Sequence, residues 1–107
     1  MNLYIIKIVL ALIVIENSEP ADVGACGGVG ILQETEIFYR EYVRLGGTLP
    51  PEARATPLAK QIAHKVIEER LKRRGITEEG DEALRYVAWL WNSGDPTVYG
   101  KLKEAMR

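Results

Sequence analysis

Apolar residues crowd the start of the chain, where Leu3 to Ile15 read LYIIKIVLALIVI and only Lys7 interrupts them. The run lacks the strict alternation of a half-buried strand and predicts a helix over about 3–17. A glycine-rich stretch follows, Gly24-Ala25-Cys26-Gly27-Gly28-Val29-Gly30, and reads as a loop. Thr35 to Leu45 predicts a second helix that stops at Gly46-Gly47, and Pro50-Pro51 marks another loop. From about Pro57 to Arg74 the pattern becomes amphipathic. Leu58, Ile62, Val66 and Ile67 fall on one face, and Lys60, Gln61, His64 and Glu68 on the other. Its end is signalled by Lys72-Arg73-Arg74-Gly75, basic residues in a last turn followed by glycine. A fourth helix is expected over about Glu79 to Asn92, rich in large apolar groups. Asn92-Ser93-Gly94 breaks it, and Asp95-Pro96 caps a last helix to the C-terminus. No segment after residue 31 alternates with period two. The expected fold class is all-α, one domain over residues 1–107 with about five to six helices.

Composition narrows the function classes. With 47% hydrophobic and 27% charged residues, the chain suits a folded globular domain rather than a disordered one. Fourteen Lys and Arg against fifteen Asp and Glu give a net charge of -1. That balance offers no basic face for phosphates, so nucleic acid is not expected as a partner. The one cysteine, Cys26, excludes an internal disulfide and a Cys-rich zinc site. It also lacks the nearby histidine that a nucleophilic thiol needs. His64 has no second histidine to share a metal with, and the helical pattern places it on the solvated face. Neither a metal nor a cofactor is expected.

The N-terminal run admits two readings. A membrane-spanning helix needs about 20 apolar residues, and this run ends at Glu16 after thirteen. Val23-Gly24-Ala25-Cys26 looks like a lipoprotein cleavage box, but Glu16, Glu19, Pro20 and Asp22 separate it from the apolar run. Export signals keep the two adjacent. The expectation is a folded helix, without stable membrane insertion and without a convincing cleavable signal. The rival is a membrane-anchored helical interaction protein with residues 1–25 as its targeting segment.

Glu16 gives the first helix its chemical interest. At about 100° per residue, Ile5, Val9, Leu12 and Ile13 fall within about 60° of Glu16, and Lys7 lies opposite. A carboxylate therefore ends an apolar stripe at the C-terminal end of a helix. Low-dielectric surroundings and the negative end of the helix dipole both disfavour its ionisation. A carboxylic acid held protonated near neutrality is the proton donor that a glycosidic oxygen requires.

Glu16-Asn17-Ser18, the glycine loop and Gly30-Ile31-Leu32-Gln33 together resemble the lytic transglycosylase signature. In that signature a Glu-Ser at a helix end precedes a loop and Gly-Leu-Met-Gln or a close variant. Farther on, Ala88-Trp89-Leu90-Trp91-Asn92-Ser93-Gly94 resembles the family's Ala-x-Tyr-Asn-x-Gly segment. It is closer still to the Ile-Trp-Asn-Gly-Gly-Pro variant of small phage-type members. Tyr99 stands where the family tends to carry a tyrosine in its last helix. The resemblance runs from about residue 5 to residue 102 and is to the lysozyme-like superfamily of lytic transglycosylases and goose-type lysozymes.

The resemblance implies a lysozyme-like fold and cleavage of peptidoglycan glycan strands between N-acetylmuramic acid and N-acetylglucosamine. Glu16 would be the general acid and then the base, with Ser18 hydrogen-bonding near the reacting sugar. Gly30 would let backbone approach the substrate, Gln33 and Asn92 would meet the N-acetyl groups, and Tyr99 would place a hydroxyl near Glu16. Plainer readings stand beside these: a loop cap for Ser18, a helix stop for Asn92 and core packing for Tyr99. The implied protein is a monomer that acts on the cell wall, periplasmic or extracellular, of the kind a phage encodes and releases from the host cytoplasm.

One departure from the family bears on the reaction. Goose-type hydrolases carry further aspartates in the loop and just after the Gln, whereas here the loop holds no acid and Thr35 falls at the second position. Asp22, Glu34 and Glu36 are the candidate substitutes, and spacing selects none of them. With one carboxylate assigned, the transglycosylase route is expected, because the sugar's own 6-hydroxyl attacks and no second protein carboxylate is needed.

Overall fold

The computed structural model describes residues 2–25, 27–77, 80–92 and 96–107, with the backbone alone at Asn92. Among them are five α-helices: α1 (Leu3–Glu16), α2 (Glu36–Arg44), α3 (Ala59–Arg73), α4 (Asp81–Asn92) and α5 (Pro96–Ala105). The described residues form no strand, only isolated bridges that pair Val29 with Val23 and with Glu34. The fold class is all-α. No helix among the described residues is long and apolar enough to cross a membrane.

Local chemistry sets the helix ends. Asn2 accepts from the amides of Tyr4 and Ile5 at 2.9 and 3.1 Å and so caps the start of α1. Asn17 stops it by entering the left-handed region at φ 49°, a conformation Asn tolerates better than most residues. Thr35, expected inside α2, is its N-cap and accepts from the Phe38 amide at 3.2 Å. Pro50-Pro51 does more than mark a loop: Pro51–Ala55 is a short 3-10 turn with proline in its first position.

The chain divides into two compact units, one of residues 1–15 with 67–107 and one of residues 16–66. In the first, α1 buries Ile5, Ile8, Val9, Ala11 and Leu12 and leaves Leu3, Lys7, Leu10 and Val14 open. Ile67 and Leu71 of α3, Val87 of α4 and Leu102 of α5 are fully buried, and α4 packs on α5.

In the second unit, Tyr42, Ala53, Ile62 and Val66 form a core, with Phe38, Tyr39, Leu45 and Leu49 packed against it. Tyr42 organises the turn after α2. Its hydroxyl accepts from the amides of Thr48 and Leu49, each at 3.2 Å, and Gly47 lies beside its ring. A Cβ at Gly47 would come within 2.3 Å of that ring, so the space is available only to glycine.

Two expectations for α3 need correction. His64 is buried, not solvated. It stands three and seven residues before Ile67 and Leu71 and so shares their buried stripe. Leu58, expected on the apolar face, precedes the helix and is exposed.

Candidate functional site

The residues from Glu16 to Glu34 lie together in the second unit, and the Gly-Ile-Leu-Gln segment organises them. Gly30 to Gln33 form one turn that is closed twice on a single acceptor. The Gln33 amide donates to the Gly30 carbonyl at 3.1 Å, and the Gln33 side-chain Nε2 donates to the same oxygen at 2.9 Å. Leu32, fully buried, anchors the turn. Gln33 itself holds a left-handed φ of 50°, a conformation that costs a non-glycine residue about 1 kcal/mol. Two hydrogen bonds from one residue to one carbonyl hold it there.

The glycines fit around that turn. A Cβ at Gly28 would lie 2.5 Å from the Gln33 backbone oxygen, and one at Gly24 would lie 2.2 Å from its side-chain oxygen. At Gly30, φ is 82° and a Cβ would lie 1.8 Å from the Arg54 carbonyl. The close approach at Gly30 is thus made by the protein's own backbone, rather than left for the substrate that the resemblance implies. Gln33 likewise gives its side-chain amide to the protein's own backbone, with a second, longer contact to the Asp22 carbonyl at 3.4 Å. The Gly30 amide donates to that same carbonyl at 2.9 Å. Asp22, Gly30 and Gln33 are brought together, as parts of one folded loop.

Glu16 is the last residue of α1 and is half-buried. Ser18 donates to the Glu16 backbone carbonyl at 3.2 Å, so its hydroxyl caps the helix end, which is the plainer of its two readings. Of the three candidate second carboxylates, two are engaged at the surface. Asp22 accepts from the Glu19 amide at 2.8 Å, and Glu36 pairs with Arg40 at 2.7 Å on the exposed side of α2.

Glu34 differs from both. It is 1% exposed, and neither carboxyl oxygen has a hydrogen-bond partner. Burial pushes its carboxyl up to about 9, against the opposing pull of the Arg54 guanidinium. Its backbone carbonyl accepts from the Val29 amide at 3.0 Å and from Arg54 Nη1 at 3.2 Å. Arg54 also donates from Nε to the Pro51 carbonyl at 3.1 Å and stands 5.6 Å from the centre of the Tyr39 ring. The sequence offers Glu34 as one of three candidates and gives no sign of its burial. Arg54 escapes sequence reasoning altogether, because nothing in residues 51–55 signals a guanidinium turned toward a loop 20 residues away.

The remaining expected residues belong to the other unit. Asn92 is the last residue of α4, which agrees with a helix stop, and its side chain lies outside the described residues, as do Cys26, Ser93, Gly94 and Asp95. Tyr99, expected to offer its hydroxyl to Glu16, donates it to Asp81. Its ring is flanked by Arg85 at 4.3 Å and Lys103 at 5.4 Å, and Arg85 pairs with Asp81 at 2.6 Å. Tyr99 therefore ties α5 to the start of α4. The hydrogen bonds from Tyr99 and Arg85 hold the Asp81 carboxyl below its ordinary value of 3.8. Among the described residues, no three His, Cys, Asp or Glu side chains gather to hold a metal.

Compared with family models, curated proteins and solved structures, the chain finds no match.

Proposed function

We propose that this protein cleaves peptidoglycan glycan strands between N-acetylmuramic acid and N-acetylglucosamine, by the lytic transglycosylase route, with Glu16 as general acid and then base. The observation that carries the reading is the junction of α1 with the loop after it. A half-buried carboxylate ends an apolar helix, and the next element is a Gly-Ile-Leu-Gln turn fixed by its own glutamine. That order of parts is the one on which the resemblance to the lysozyme-like superfamily rests. A fold of five helices without strands among the described residues is compatible with it.

In this chemistry Glu16 gives its proton to the glycosidic oxygen as the C1–O bond breaks. The resulting carboxylate then takes the proton of the muramic 6-hydroxyl as that oxygen bonds to C1, which closes a 1,6-anhydro ring. No water enters, and Glu16 ends protonated as it began. An intramolecular hydroxyl has a large effective concentration, which offsets the lack of a base for water.

Three carboxylates argue for this route over hydrolysis. Activating water takes an ionised base. Glu34 is protonated at neutral pH, Asp22 is held by its own turn, and Glu36 is paired on the surface. The wall substrate places the action in the periplasm or outside the cell. Clearing of a suspension of purified wall by the wild-type chain, and its loss in Glu16→Gln, tests the reading. An unchanged suspension contradicts it.

A further inference from the structure

Glu34 is a buried carboxyl that the proposed reaction does not use, and it sits at a joint within the second unit. Arg54 Nη1 donates to its backbone carbonyl at 3.2 Å, and the Arg54 carbonyl lies so near Gly30 that a Cβ there would come within 1.8 Å of it. Residues 29–34 are thus closed on the 3-10 turn Pro51–Ala55 by backbone contact and one guanidinium. The Glu34 backbone is also paired with Val29 in both directions, each bond 3.0 Å, so movement of the one carries the other. The Glu34 side chain takes no part in this bonding, being buried with neither oxygen partnered. Arg54 is the charged group whose field reaches it, but its Nε and Nη1 go to the Pro51 and Glu34 carbonyls. The neighbouring acids are turned elsewhere. Asp22 accepts from the Glu19 amide, Glu36 pairs with Arg40, and Glu52 of the 3-10 turn is exposed.

We propose that the Glu34 carboxyl is a latch on this joint: uncharged, it lets residues 29–34 stay closed on the 3-10 turn, and once ionised in alkaline solution it parts them before the first unit unfolds. A charge at that place has neither water nor a donor, so it is strongly disfavoured while the joint is shut. Parting the joint gives the carboxylate water at the loss of few bonds. Opening is local because the first unit contains none of these residues and nothing in it is relieved. The closed form holds the proton more tightly than the open one, so it prevails at neutral pH. The open form gains as pH climbs toward about 9. Glu41 and His64, with Tyr39 and Tyr42, are further titratable groups of this unit that are at least half-buried. Glu34→Gln leaves all four in place. The latch follows from the burial of Glu34 and is independent of the proposed cleavage.

The test is methyl and side-chain carboxyl NMR of the full chain, wild type and Glu34→Gln, as pH is raised from neutral past about 9. In wild type the Glu34 carboxyl is expected to titrate in the alkaline range. The methyls of Val29 and Leu32 should lose their folded shifts with the same midpoint. Val87 and Leu102, buried in the first unit, should keep theirs through that transition. In Glu34→Gln the Val29 and Leu32 methyls should hold as well. The latch is overturned by a Glu34 carboxyl that titrates in the ordinary carboxylate range, and by Val29 and Leu32 methyls that stay folded past about 9. A single transition that moves Val87 and Leu102 together with Leu32 also overturns it, since the whole chain then unfolds. So does the same loss of loop shifts in Glu34→Gln, which assigns the opening to another titratable group. If the glutamine variant does not fold, the wild-type carboxyl and methyl midpoints decide alone, and unequal midpoints overturn the latch.

Discussion

Arg54 donates from Nη1 to the backbone carbonyl of Glu34 at 3.2 Å, while both carboxyl oxygens of Glu34 lie buried without a partner. The guanidinium thus bonds to the chain at Glu34 and not to its carboxyl, and its charge offsets the effect of burial only in part. The carboxyl must therefore stay neutral, since an ionised group there would be both desolvated and unbonded.

The pH dependence of stability follows from this. Glu34 has an ordinary value of 4.5 and is raised to about 9 in the folded chain. The folded state therefore holds the proton more tightly than the unfolded state. This contribution is fully present below about 4.5 and is lost as pH climbs toward about 9, at roughly 1.4 kcal/mol per pH unit. Glu34→Gln, which cannot ionise, should melt several degrees above wild type at pH 8 and close to it at pH 4.5. Equal slopes for the two proteins between those values would mean that Glu34 is hydrated in solution.

Two glycines with similar dihedral angles should respond very differently to alanine. Gly27 has φ 79° and nothing within 4 Å of where a Cβ would stand, whereas Gly30 has φ 82° with the Arg54 carbonyl 1.8 Å from that point. Gly27→Ala should cost about 1 kcal/mol, the ordinary penalty of left-handed backbone. Gly30→Ala must also part the loop from the 3-10 turn, at roughly 3 kcal/mol or more. Urea denaturation of the two variants checks this, and similar midpoints would contradict the packing at Gly30.

Tyr99→Phe should release Asp81. Without the Tyr99 hydroxyl, the strongest influence on that carboxyl disappears and its titration moves back toward 3.8. Arg85 remains and keeps part of the shift. Carboxyl-detected NMR across the acid range reads it directly. An unmoved Asp81 would show that the Tyr99 hydroxyl points elsewhere in solution.

Helix positions were largely legible, because capping and punctuation residues act over three or four neighbours. Thr35, Pro96, Gly75 and Asn92 fall at or beside the ends they signal. The burial of His64 was not legible, since α3 buries Ala59, Ile62, Ala63, Val66, Ile67 and Leu71 as well, a wider face than the narrow stripe that amphipathic reasoning assumes. At the candidate site, the motif told where a structured loop would lie but not what its residues would hold. Gly30 and Gln33 meet Arg54 and Asp22, contacts set by chain folding that spacing within the motif does not encode. The same limit hid Glu34, whose surroundings include a turn 20 residues later in the chain.

Glu16→Gln should abolish clearing of the wall while the fold persists. The amide is nearly isosteric but has no acidic proton, and general acid catalysis contributes about 10²–10⁴-fold. Circular dichroism and thermal melting should match wild type. Activity within a few-fold of wild type would move the proton donor to another residue.

Mass spectrometry of the soluble fragments released from purified peptidoglycan tests the proposed cleavage most directly, because one spectrum reports both the bond broken and the route. Disaccharide-peptides that end in 1,6-anhydromuramic acid are expected, made by wild type and not by Glu16→Gln. Fragments heavier by one water, about 18 Da, would keep glycan cleavage but replace the 6-hydroxyl with water, and would require a base free to take its proton, whereas Asp22 is bound within its own turn, Glu34 is buried and protonated, and Glu36 is paired with Arg40. Wild type that releases no fragments at all would contradict glycan cleavage by this protein.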